Sequence, residues 1–575
     1  MKILRGVAAS PGIAHGPAFQ FRQPSVHVKP VTVEDSAAEW RRFEAALHLA
    51  KQQLAEIYGS GRGELADIFR AHALMLEDPE LLEAVRSTIQ ERSLNAEAAL
   101  SKAAEAYVQA LESLGDEYLR ARAVDVRDVT NRLLRILVGA TENSAAGLKA
   151  PSIILAGDLT PSDTLHLERS LVLGFCTAEG GATSHVAILA RGMGRPALVG
   201  VGSDVLAVPS GTPVVLDGNE GVLLVDPDPD VVTAYLSRQA EAAASLSEAR
   251  QHSHELTYTR DGHRVEILAN IGSEEEAQAA LQAGAEGVGL LRTEFLYMRS
   301  QGLPGEEEQY RAYRSIVGVF GQRPVILRTL DIGGDKPLAY LDLPQEANPF
   351  LGQRGIRLCL KRPDLIRPQL RAALRAAHGG NLKLMFPMVA SVAEVRAARG
   401  LVEACRAELQ AEGHSLASRL EIGVMVETPA AGLMADKLAA EVDFFSIGTN
   451  DLSQYTMAAD RTNAEVASLT AGPQPAVLRL IASVVAAAHQ RAKRVGLCGE
   501  LASDLATIPV LVGLGLDELS MSGAVIPLAK HVIRTLTLDQ VQDLARRALE
   551  ATSADEVLRL VAERVPAVRE FLSRA

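Results

Sequence analysis

Apolar positions set three successive textures along the chain. From Val33 they fall three and four residues apart, at Trp40, Phe43, Leu47, Ala50, Leu54 and Ile57, which places one stripe on a helix. A second helix is expected at Glu64–Leu76, with Leu65, Ile68, Phe69, His72 and Met75 on one face, where His72 reads first as a packed core residue and second as a partner contact. Helical periodicity continues to about Gly139, giving a bundle with short polar connections. Short apolar runs punctuated by Gly and Pro follow, at 152–157, 171–178, 196–201, 213–218 and 221–226, and read as strands of a β/α unit. Residues 1–20 read as a short strand and turn that return to this unit, which makes the bundle an insertion.

After the charged break "DPDPD" (Asp226 to Asp230) and an alanine-rich helix, strands and long helices alternate. Eight strand candidates start at Val265, Gly287, Pro324, Leu382, Glu421, Phe444, Arg494 and Leu516. Alternation implies a parallel sheet, and eight units in about 300 residues imply a (β/α)8 TIM barrel. The fold class expected is multidomain α/β. Residues 1–20 plus 145–228 form a β/α domain, 21–144 the inserted helical bundle, 229–257 a linker helix and 258–575 the barrel. "DPDPD" and the helix after it are where a hinge is expected.

Composition narrows the function. The 575 residues are 47% hydrophobic and 22% charged, as in a water-soluble globular protein, and no stretch is expected to reach the roughly 20 apolar residues of a membrane span. The apolar patch at the N-terminus is too short for a signal sequence, so a cytoplasmic location without membrane insertion is expected. A net charge of -13 argues against nucleic acid as a partner. The four cysteines, Cys176, Cys359, Cys405 and Cys498, are widely separated, which argues against a zinc knuckle or a disulfide framework.

In a barrel the chemistry sits at the carboxyl ends of the strands. Those ends carry Arg292, Arg328, Asp331, Asp335 and Lys336, then Arg354 in the following loop, then Glu427, then Asn450, Asp451 and Arg461, then Cys498. Singly each has a bland reading: a surface ion pair, a turn carboxylate, a packed thiol. Together they make a cationic mouth with two hard carboxylates. Arg forks match phosphate and carboxylate oxygens, and Glu427 with Asp451 suits Mg²⁺ that keeps water and substrate oxygens as its other ligands. The implied ligand is small, anionic and phosphorylated. In "GGATSHVAILAR", His185 stands where a helix starts, with Thr183 or Ser184 as its cap. Unpaired N–H groups there would hold a phosphoryl group on the ring, making His185 a covalent nucleophile. A purely structural capping histidine satisfies the same pattern.

"GGATSHVAILAR", "GVGLLRTEFLYM", "RTLDIGGDKPL", "NPFLGQRGIR", "VMVETPAA", "FSIGTNDLSQYTMAADR" and "LCGELASD" occur in that order. Over essentially the whole chain they resemble the phosphoenolpyruvate-utilising enzymes, and among them the enzyme I family of the sugar phosphotransferase system. The resemblance implies that phosphoenolpyruvate binds in the barrel with Mg²⁺. Its phosphoryl group passes to Nε2 of His185 on a swivelling domain and then to the small carrier protein HPr, which docks on the bundle. By position it implies substrate contacts from Arg292, Arg328, Asn450 and Arg461, with Lys336 and Arg354 nearby. It assigns Mg²⁺ to Glu427 and Asp451, proton donation to Cys498, orientation of His185 to Thr164, and a homodimer through the barrel domain. Ser503 departs from the family pattern, which commonly has Gly there. Two rivals remain: an ATP-dependent pyruvate phosphate dikinase or phosphoenolpyruvate synthase relative, and a non-catalytic sensor of phosphoenolpyruvate. The first lacks support because no glycine-rich nucleotide loop precedes His185. Against the second, His185, Cys498 and the carboxylates are all present.

Overall fold

The computed structural model describes the chain except residues 22–27, 61–68, 70–71, 114–116, 140–147, 165–166, 182–183, 301, 335–337, 339, 342, 345, 464 and 569–575. It divides into two units, one formed by Met1–Glu241 and one beginning at Ala242.

The first unit is built on an eight-stranded sheet of β1 (Lys2–Arg5), β2 (Val7–Ser10), β3 (Ile13–Gln20), β4 (Ser152–Ala156), β5 (Val172–Thr177), β6 (Ala197–Val199), β7 (Pro213–Asp217) and β8 (Val222–Val225), in the order β1-β8-β7-β3-β4-β5-β6-β2. The N-terminal segment therefore supplies three strands, where a strand and turn are expected from the sequence. Its middle, β3-β4-β5-β6, is parallel. Both faces of a parallel sheet are covered, so its central strands are continuously apolar. In β4, Ile154 and Ala156 pack with Val186, Ala187 and Ala190 of the helix His185–Met193, while Ile153 and Leu155 pack with Leu198, Leu216 and Leu223 on the opposite face.

The chain between β3 and β4 forms the bundle, with helices Ser36–Ser60, Pro79–Arg92, Ala96–Ser113 and Glu117–Leu137. Phe43, Ala50, Leu54, Val85, Ile89, Leu100, Val129 and Leu133 fill its centre. Asp78 caps the second of these helices by accepting from the N–H groups of Glu80 and Leu81. Of the helix expected at 64–76, Phe69 and His72–Met75 are helical and Leu76 is a turn; Leu65, Ile68 and the side chain of Ile57 lie outside the described residues.

The division between the two units falls inside the stretch where the hinge is expected, within the helix after "DPDPD". In the helix Pro229–Gln251, Val231, Val232 and Tyr235 pack on Ile13, Val215 and Leu224, and Arg238 pairs with Asp217 and Glu220. Gln239 Nε2 donates to the Ile13 carbonyl. "DPDPD" and the start of the helix thus belong to the sheet unit, and the division falls later, after Glu241. Past the helix, Lys530 Nζ donates to the carbonyls of Ser253 and Glu255, fastening that end to the barrel.

The second unit is a closed parallel barrel of β9 (Glu266–Ile271), β10 (Val288–Arg292), β11 (Val325–Arg328), β12 (Leu382–Phe386), β13 (Ile422–Val426), β14 (Phe444–Ile447), β15 (Arg494–Leu497) and β16 (Glu518–Met521), with β16 pairing β9. Leu290, Ile326, Met385, Met425, Phe444 and Cys498 form a separate buried cluster, the packed interior of the barrel. Contrary to the composition reading, one stretch, Ala467–His489, is long and apolar enough to cross a membrane by those criteria alone. It folds as a 3-10 turn followed by the helix Pro475–His489, whose Val477, Leu478, Ile481 and Val484 are fully buried in the outer core.

At the N-terminal end of the strands, Glu518 is buried beside a cavity lined also by Lys383, Arg419 and Arg494. Burial pushes its carboxyl up to about 7, only partly offset by the Arg494 charge. A folded-state value above the unfolded one means that folding favours the protonated form. The contribution to stability is fully present below the unfolded value of 4.5 and is lost as pH rises through about 7. Glu518→Gln is therefore expected to raise the barrel's unfolding free energy in urea at pH 8, by on the order of 2 kcal/mol, and to leave it unchanged at pH 4.

Candidate active site

The C-terminal mouth of the barrel encloses a cavity of about 720 Å³ lined by Arg292, Arg328, Glu427, Asn450, Asp451, Arg461 and Cys498. All but Arg461, which follows the helix Thr449–Met457, stand at or just beyond a strand end, and the barrel geometry brings the seven expected site residues together. Lys336 lies outside the described residues. Arg354 is not on the cavity wall: it is wholly buried, and all five of its N–H donors face protein oxygens. Nε and Nη2 donate to Asp331 at 3.0 and 3.1 Å, Nη1 and Nη2 to Asp451 at 2.8 and 3.1 Å, and Nη1 reaches Tyr455 Oη at 3.5 Å. Arg354 thus orients the two carboxylates that it joins.

Arg328, at the end of β11, is clamped by Glu294 (2.9 Å) and Asp331 (3.3 Å). Burial works against its cation, but Glu294 and Asp331 outweigh that, and the charge is held firmly. Its Nε is buried without an acceptor in the protein. Such a donor is costly unless a ligand oxygen meets it. Glu294 also accepts from the Asp331 N–H, and the sequence reading gave it no role. "LLRTE" does display it two residues after Arg292, but nothing in the spacing says which cation it serves.

Glu427 follows β13 and is 1% exposed. Burial raises its carboxyl well above the usual range, and Asp451 and Asp331 raise it further. Its Oε1 accepts from Met388 N–H, presented by a residue at φ +58°, a conformation unusual outside glycine. Asp451 lies in the first turn of the helix Thr449–Met457, and Arg461 approaches its Oδ1 to 3.3 Å. Among the described residues no cluster of three or more His, Cys, Asp or Glu has the arrangement of a complete metal cage. Mg²⁺ does not need one, because it keeps water and takes one or two carboxylates plus ligand oxygens. The mutual repulsion that lifts Glu427 is what a hard dication would relieve, so the donor set fits.

Asn450 exchanges hydrogen bonds with Glu500, through Nδ2 to Oε1 (3.1 Å) and from Glu500 N–H to Oδ1 (2.8 Å). Gly499 passes so close to Thr449 that a Cβ would stand 1.9 Å from its Oγ1, which explains a glycine directly after Cys498. Burial pushes the Cys498 thiol up to about 11, so it is a protonated acid at neutral pH. Its carbonyl is held by Asn270 Nδ2 at 3.0 Å.

His185 opens the helix His185–Met193 in the other unit. Ser184 is the N-cap and its Oγ accepts from Ala187 N–H; Thr183 lies outside the described residues. Gly180 has φ +101°, and even a Cβ there would press on Ser184 at 3.3 Å, so the glycine lets the loop close on the cap. Thr164 ends the short helix Pro161–Thr164, and its side chain is outside the described residues. The His185 ring faces the bundle: Nε2 lies 3.5 Å from Asp125 Oδ1. His72, expected mainly as a packing residue, is indeed fully buried against Phe69, yet its Nε2 also meets Asp125, at 3.3 Å. Asp125 was missed. Its signal was the spacing Asp125, Asp128, Arg132, Arg135, a charged stripe along one face of a helix.

Three family models match the chain: "PEP-utilising enzyme, N-terminal" over 5–122, "PEP-utilising enzyme, mobile domain" over 148–221 and "PEP-utilising enzyme, PEP-binding domain" over 247–538. A phosphoenolpyruvate-protein phosphotransferase from Priestia megaterium is 46% identical over 97% of this chain and 98% of its own. One of the same name from Bacillus subtilis is 44% identical over 98% of this chain and 100% of its own. A solution structure of an Enzyme I fragment is 40% identical over 42% of this chain and 99% of its own, at a TM-score of 0.35, too low to bear on the fold.

A protonated thiol predicts slow alkylation. Labelling of Cys498 by iodoacetamide in the folded protein is expected to stay slow from pH 7 to 9 and to accelerate only as pH approaches 11, read by mass spectrometry of the peptide.

Proposed function

Since the chain belongs to the phosphoenolpyruvate-utilising enzymes, we propose that it is a phosphotransferase of the sugar phosphotransferase system, moving the phosphoryl group of phosphoenolpyruvate to His185 and on to the carrier HPr, with release of pyruvate. The observation that carries this reading is the convergence of Arg292, Arg328, Glu427, Asp451 and Cys498 on one cavity at the barrel's C-terminal mouth.

Phosphoryl transfer needs in-line positioning and charge neutralisation more than covalent machinery. Arg328, with an unmet Nε donor, and Arg292 and Arg461 on the same wall hold the anionic oxygens of the substrate. Lys336 and Asn450 complete the binding set. Arg354 keeps Asp451 aimed. Glu427 and Asp451 would hold Mg²⁺, which when bound would supply charge neutralisation. At transfer the P–O bond breaks as the N–P bond forms at His185 Nε2. The leaving enolate takes a proton at carbon from the Cys498 thiol, and pyruvate departs. Thr164 orients the histidine. Because the two sites belong to different units, His185 must be delivered to the barrel, and the helix after Glu241 supplies the swivel. The domains follow as a phosphohistidine unit (1–20 plus 145–228), a carrier-docking bundle (21–144), a linker (229–257) and a substrate-binding barrel (258–575). A homodimer through the barrel agrees with the exposed neighbours Leu433 and Met434, and a cytoplasmic location with the partners.

Incubation with labelled phosphoenolpyruvate and Mg²⁺ is expected to place acid-labile phosphate on the wild-type chain and none on His185→Ala. Equal labelling of the two would remove the histidine from the mechanism, and ATP-dependent turnover of pyruvate would favour a dikinase instead. Cys498→Ala is expected to slow phosphoenolpyruvate turnover by about 10²- to 10³-fold while exchange between His185 and HPr continues, since only the first reaction needs the acid. A parallel fall in both rates would show a damaged fold.

A further inference from the structure

The seam between bundle and sheet holds a polar cluster that phosphoryl transfer does not by itself require. Asp125, from the helix Glu117–Leu137, places one carboxylate oxygen 3.3 Å from His72 Nε2 and 3.5 Å from His185 Nε2. The carboxylate is nine-tenths buried and the His185 side chain about a quarter exposed. The same helix is fastened to the segment after β4: Asp128 accepts from Ser162 N–H at 3.2 Å, and Arg132 donates twice to Ser162 Oγ, at 3.0 and 3.3 Å. His72 Nδ1 lies 3.6 Å from Asp128, beyond hydrogen-bond reach, so the buried histidine braces Asp125 through Nε2.

We propose that Asp125 is a positioning residue for His185: it parks the acceptor nitrogen in this seam while the ring is unphosphorylated, and the phosphoryl group expels it. This rests on the reading that Nε2 of His185 is the acceptor.

A nitrogen lone pair and a carboxylate oxygen repel, so an Nε2 facing Asp125 carries a hydrogen. Attack on phosphorus needs that lone pair free. The ring must therefore leave Asp125 and exchange its proton through water, losing it from Nε2 as Nδ1 takes one up, before the N–P bond forms. Once formed, phosphohistidine brings an anionic phosphoryl group where the carboxylate stood. Two like charges at that separation cannot share the seam, so the ring stays out. The unphosphorylated state alone gains from the contact, and the contact lies in the joint between bundle and sheet. Phosphorylation thus loosens that joint.

The full chain is brought to equilibrium at a fixed ratio of phosphoenolpyruvate to pyruvate with Mg²⁺, without HPr, and phosphohistidine is measured by phosphorus NMR. Asp125→Asn removes the charge and keeps the shape. The ratio of phosphorylated to free chain is expected to rise about tenfold over wild type, because only the free form loses a favourable contact. Asp125→Glu keeps the charge and is expected to stay close to wild type. Phosphorylation is expected to lower the first thermal transition of the wild type and to leave that of Asp125→Asn unchanged. A purely structural Asp125 would lower the thermal transition of both forms equally and leave the ratio alone, which would overturn the proposal. Should the Asn variant fail to fold, His72→Gln releases the brace on Asp125 and is expected to move the ratio in the same direction; an unchanged ratio there would overturn it as well. Labelling of His185→Ala at the wild-type level would instead overturn the acceptor reading on which the proposal rests.

Discussion

A guanidinium that meets no water must find a protein oxygen for every N–H, and the barrel mouth is arranged around that demand. Arg354 sits between Asp331 and Asp451 with its fork filled on both sides. Those acids then turn outward. Asp331 steadies Arg328 with the help of Glu294, and Asp451 faces Arg461 and presses electrostatically on Glu427. Charges so deep in a fold are costly unless compensated, and breaking one partner leaves another exposed to that cost. The network is therefore stiff. It presents a substrate with prepositioned donors and with carboxylates already in mutual repulsion, which is how a site binds a small polyanion without reorganising.

The histidine end is built differently. Its anchors are a capped helix start, a glycine loop and a seam of polar contacts that water partly reaches. In the proposed transfer the barrel residues hold still while a substrate arrives, and the histidine has to move. A rigid network and a releasable one suit donor and acceptor respectively, and the separation of the two sites into different units follows the same division.

Much of this was legible in the sequence. All eight barrel strands fall where apolar runs alternate with helices, because each must be covered on both faces. Glu427 and Cys498 stand out because each ends an apolar run with an ionisable group, and strand-end chemistry has a fixed address in a barrel; His185 stands out because it opens one behind a glycine pair. Burial was not legible. Arg354 reads as a substrate contact until its surroundings are seen, since an Arg before a glycine is equally at home on a surface. Asp125 and His72 lie on periodic helices, where a charged stripe normally means solvent, and only the docking of one helix against the segment after β4 turns that stripe inward. Where within "DPDPD" and its helix the units divide was not legible either, because Pro and Asp mark a break in local structure, while the packing of Tyr235 and Arg238 on the sheet is a long-range contact.

Because β3 and β4 are parallel neighbours in register, with Ala18 beside Ile153, the whole bundle is in topological terms a single crossover connection. Such a connection needs only about a dozen residues to bring the chain back to the same edge with the right hand. The helices are thus an elaboration hung on a loop the sheet required anyway. Their outer surface can drift, or be exchanged wholesale, without shifting the register of a single strand, provided the Asp125 carboxylate still reaches back to His185.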